Sequence, residues 1–78
     1  MMVELEEIFT ETISLREEIE LAEMEGTDVK KSKIRVDRAE KLYKEAVEAM
    51  EKKDYMMVKA KTKAAKNMVE KAKELLEL

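Results

Sequence analysis

A run of 78 residues with no proline and a single glycine, Gly26, has almost nowhere to turn sharply. Proline removes a backbone donor, and glycine enters the left-handed region freely, so both gather where regular structure ends. A chain this poor in breakers is confined to a few long, uninterrupted elements. Its commonest residues, Ala, Leu, Met, Glu and Lys, are strong helix formers. β-branched residues are scattered and nowhere alternate with period two over a useful length, so strands have no support. An all-α fold follows.

Apolar spacing divides the chain into three helices, at about 3–24, 29–52 and 55–77, within a single helical domain spanning 1–78. In the first, Leu5, Ile8, Thr12, Leu15, Ile19 and Ala22 recur at spacings of three and four, with Met2 and Phe9 widening the stripe. Gly26 stands where a helix C′ residue belongs, and Thr27 or Asp28 suits the following N-cap. The second helix carries Val29, Ser32, Val36, Ala39, Tyr43, Ala46 and Met50. Lys52 and Lys53 suit its C-terminus and Asp54 suits the next N-cap. The third carries Met57, Ala60, Ala64, Ala65, Met68, Ala72, Leu75 and Leu76.

The Lys52–Tyr55 turn contains neither Gly nor Pro. The alternative is therefore a helical hairpin whose long second helix runs unbroken from 29 to 77 and dimerises as a coiled coil. Continuing the register of helix two would put Asn67, Lys71 and Glu74 in the core, whereas the apolar residues are Met68, Ala72 and Leu75. That slip favours a break near 53–54 and a three-helix bundle of antiparallel hairpins. The pairing brings Ile19 near Val36, Leu15 near Ala39, and Tyr43, as a buried anchor, near Thr12 and Ala64.

Charge is segregated. Residues 1–26 hold nine acids and one base, Arg16, while residues 27–54 hold nine bases and seven acids. Antiparallel pairing would bring Glu17, Glu18, Glu20, Glu23 and Glu25 near Lys30, Lys31, Lys33, Arg35 and Arg38. Those five bases are also the candidate anion-binding patch, for nucleic acid or another anionic surface. The net charge of −3 argues against tight nucleic-acid binding, which goes with basic domains.

Without His or Cys, most nucleophilic triads and transition-metal sites are ruled out. One glycine cannot build a phosphate-cradling loop. The expectation is no enzyme, no catalytic residues, no metal and no cofactor. The N-terminus has no signal-peptide pattern and no stretch suits a bilayer, which predicts a cytoplasmic protein without a membrane partner. Absence of Gln and a lone Asn67 resemble thermophile usage.

Ala39, Tyr43 and Ala46, followed by Asp54-Tyr55, Val58 and Ala65, resemble tetratricopeptide-type hairpins, with Lys53 in place of the family's turn Gly. A three-helix unit of this size is also similar to the microtubule-interacting-and-trafficking domain. Both resemblances imply a scaffold that holds a helix or extended peptide in an inter-helix groove. Leu15-Arg16-Glu17-Glu18-Ile19 is similar to the start of helical chorismate mutases, but their first helix is long and Gly26 interrupts this one.

Ile13, Leu21, Met24, Ile34, Met56 and Val69 fall off the stripes. Leu21, Met24, Ile34 and Leu76, with Leu75 and Leu78 beside them, gather at one end of the bundle as a candidate interaction patch. The function expected is a non-catalytic protein–protein interaction or structural module whose partner is a protein or a second copy. The alternative is a weak nucleic-acid or anionic-surface binder.

Overall fold

The structure, a computed structural model, describes residues 2–77. It consists of three helices, α1 (Met2–Met24), α2 (Lys30–Glu51) and α3 (Tyr55–Glu77). Among the described residues there is no strand. The expected contributions of Leu78 and of the Met2 side chain lie outside what is described.

Both turns are built the same way. After α1, Gly26 takes φ +87, its N–H donates to Glu23 O, and Thr27 N–H donates to Ala22 O, both at 3.0 Å. After α2, Lys53 takes φ +60, its N–H donates to Met50 O at 3.0 Å, and Asp54 N–H donates to Ala49 O at 2.9 Å. These are paired Schellman closures, one on the expected glycine and one on a lysine forced into the left-handed region. Asp54 then caps α3, its Oδ1 accepting from Met57 N–H at 3.2 Å. The chain therefore breaks at 52–54, and the single long helix does not form.

The start of α2 differs from expectation. Val29, not Thr27 or Asp28, is the N-cap residue, and it has no side-chain cap bond. Asp28 Oδ1 instead accepts from Lys30 N–H at 3.1 Å. Burial of Val29 in the core accounts for the shift.

The two left-handed residues yield opposite expectations. A Cβ on Gly26 would meet nothing within 4 Å, so Gly26→Ala should cost only the backbone term, about 1 kcal/mol. Lys53→Gly should relieve the same strain and stabilise by about 0.5–1 kcal/mol, since glycine's extra unfolded entropy offsets part of the gain. Chemical denaturation of both variants checks the pair.

One core joins the helices. Ile8, Leu15 and Ile19 of α1 meet Val36 and Ala39 of α2 and Ala65, Val69 and Ala72 of α3. Most interhelical contact lies between α2 and α3, whose buried residues include Ala39, Ala46, Ala49, Ala65 and Ala72. Such small side chains let two backbones approach closely. In α3 the expected Ala65 and Ala72 are buried, but Val58 and Val69, each one residue beyond the expected Met57 and Met68, and Thr62 complete the core line, while Met57 and Ala60 are exposed. Val69 is thus core rather than off-stripe.

The bundle measures 44 × 15 × 15 Å and exposes 5795 Å². A folded chain of 9.1 kDa ordinarily exposes about 4900 Å², so roughly 900 Å² of surface is in excess. No helix among the described residues is long and apolar enough to cross a membrane.

Candidate functional site

Ion pairs between the helices use the charges differently from the expected pattern. Arg16, the one base of α1, reaches α2 and pairs with Asp37 at 2.9 Å and with Glu40. Those two hydrogen bonds raise the guanidinium pKa above its already high ordinary value. Of the acids expected to face α2, only Glu23 meets a base of the patch, Lys33, at 2.5 Å. Lys61 pairs with Glu45 at 2.7 Å, and Lys73 with Glu11 at 3.2 Å. Glu17 and Glu18 on α1, Glu25 in the turn after it, and Lys30, Lys31 and Arg38 on α2 are exposed. None of these six pairs with another described residue.

The five bases of the anion-binding candidate are divided between two flanks of α2. Lys33 is engaged by Glu23 on the α1 side. Lys31, Arg35 and Arg38 lie on the other flank, where with Ile34 and Leu75 they line a groove of 380 Å³. Arg35 is half-buried there, with Nη1 3.7 Å from Met68 Sδ.

The interaction candidate divides as well. Leu21 is 60% exposed, Met24 81% and Ile34 51%, but Leu76 packs against the core. Ile34 sits beside Arg35, Arg38 and Leu75, whereas α2 meets α1 through Lys33, Asp37 and Glu40. Ile34 therefore belongs with the bases on the far side from Leu21 and Met24. The groove was readable as 31, 34, 35 and 38, which share one helical face, but sorting by chemistry separated the apolar residue from the charged ones.

α1 carries apolar side chains on both faces along its length, while α3 exposes Tyr55, Met56 and Met57 at its start. Besides its buried stripe, α1 exposes Val3, Phe9, Ile13, Leu21 and Met24. Phe9 leans on Tyr43, with ring centroids 5.6 Å apart and planes tilted by 33°. Tyr43 is only half-buried. Instead of lying sealed between helices, it lines a 350 Å³ groove with Leu5, Glu6, Val47, Met50 and Glu51.

Among the described residues no acidic cluster could hold a metal ion. Thr62 places a buried hydroxyl in the core without a hydrogen-bond partner, while Thr12 Oγ1 donates to Phe9 O at 2.7 Å. Neither hydroxyl has a base beside it to activate it.

The Lys61 hydrogen bond holds the Glu45 carboxyl below the usual carboxylate range. A lowered folded-state pKa means that the pair's support is present above the unfolded value and is lost as pH falls through the folded one. Carbon-detected NMR titration should therefore find Glu45 titrating below the ordinary glutamate range, and Lys61→Met should return it there.

No protein family, characterised protein or solved structure matches this chain.

Proposed function

We propose that this protein is a non-catalytic protein–protein interaction module that associates with copies of itself. The observation that carries the reading is the exposed apolar row of α1: Val3, Ile13, Leu21 and Met24 on a helix that already buries a full stripe. A helix apolar on both faces is usually covered on both. The resemblance to tetratricopeptide-type hairpins implies a scaffold that holds a helix or extended peptide in an inter-helix groove, which is compatible with a partner-binding role. A cytoplasmic setting agrees with a chain that has no cysteine.

Light scattering coupled to gel filtration tests the reading. Over a rising concentration series the mass should pass from that of one chain to a multiple of it. Moderate salt should weaken this far less than it weakens phosphate binding, since apolar burial drives association. A single-chain mass at the highest concentration would overturn it.

A second reading, weak binding to nucleic acid or another anionic surface, rests on Lys31, Arg35 and Arg38 sharing one flank. It predicts retention on a DNA duplex that falls steeply with salt.

A further inference from the structure

We propose that the acidic, apolar outer face of α1 in one copy occupies the basic groove between α2 and α3 of the next, joining copies head to tail. The inference rests on the self-association reading and names its two surfaces.

The groove combines two apolar side chains with three bases, the half-buried Arg35 among them. Ile34 and Leu75 line it, flanked by Lys31, Arg35 and Arg38. The outer face of α1 is its chemical complement: Leu21 and Met24 stand out from the bundle, with Glu17 and Glu18 four and three residues before Leu21 on the helix and Glu25 just past its end. Neither set is satisfied at home. Lys31 and Arg38 pair with no other described residue, and nor do Glu17, Glu18 and Glu25. They cannot meet within one copy, because the groove lies across α2 and α3 from α1. A second copy supplies both matches at once, with apolar side chains in the middle and opposite charges around them, as stable interfaces are arranged.

Because face and groove are different surfaces, one contact leaves a free face on one copy and a free groove on the other. Such a heterologous contact builds open chains or closed rings.

Complementation of two full-length variants provides the test. One variant spoils the face (Leu21→Lys with Met24→Lys), and the other spoils the groove (Ile34→Ser with Arg38→Ser). All four positions are exposed, and circular dichroism should find both variants as helical as the parent. Should the face variant lose helicity, Met24→Lys alone, at the most exposed of these positions, takes its place. Each variant alone should associate at least tenfold more weakly than the parent. Mixed, they retain one intact face and one intact groove, and should form a 1:1 complex that stops at two chains. Persisting assembly of either variant, or two variants that stay monomeric when mixed, would overturn the proposal while leaving self-association standing. A parent chain that never associates would overturn both.

Discussion

Replacing Leu15 by alanine should destabilise the protein by about 3 kcal/mol, lowering the thermal midpoint by roughly 12–24 °C in a domain of this size. Leu15 is 1% exposed and belongs to the cluster that joins all three helices. α1 makes fewer contacts with its neighbours than α2 and α3 make with each other, so it depends on a few large side chains. Of these, Leu5, Ile8, Leu15 and Ile19 are buried. Truncation at Leu15 removes apolar contact and leaves a cavity that two packed neighbours cannot readily close. Leu21→Ala, the same chemistry on the outer face, should shift stability by less than about 0.5 kcal/mol. Thermal melts followed by circular dichroism compare the two, at concentrations low enough that association contributes nothing. Equal losses would mean that the buried face of α1 has been misassigned.

The contrast between Leu15 and Leu21 was legible in the sequence because α1 keeps an unbroken three–four spacing of bulky residues. The hairpin pairing was legible too: Glu23 meets Lys33, and Phe9 meets Tyr43, as a turn centred near Gly26 requires. The second turn was readable from Asp54 and from the slip of the apolar register, although nothing at Lys53 announces a left-handed residue. There the paired closure bonds to Ala49 and Met50 hold a conformation that lysine does not favour. In α3 the stripe was misread in part for a physical reason. That helix is so rich in alanine and methionine that several faces look apolar, and the true core line includes Thr62, a polar residue that conceals the pattern. Met68 and Leu75, taken as central, lie on the flank turned to α2, where they meet Arg35 and the groove. The functional surfaces were half legible. Every residue of the groove had been named, but which helix flank faces which neighbour is a property of the packed bundle.

The register of α3 carries the second large effect. Ala65→Leu should destabilise by about 2 kcal/mol or more, whereas Ala60→Leu should be nearly neutral. Ala65 is 0% exposed and faces a seam where Ala39, Ala46, Ala49 and Ala72 are also buried. A seam lined by methyl groups has no void for three more carbons. The added side chain must therefore leave its preferred rotamer or push α2 and α3 apart, loosening the packing of Val36 and Val69 on either side. Ala60 is exposed, and leucine there loses almost no helix propensity. Urea denaturation of both variants decides between the two registers. If the line through Met57, Ala60 and Ala64 were the buried one, Ala60→Leu would cost as much as Ala65→Leu, and Val58→Ala would cost little. With Val58 fully buried, Val58→Ala should instead lose about 1–2.5 kcal/mol, and Met57→Ala much less.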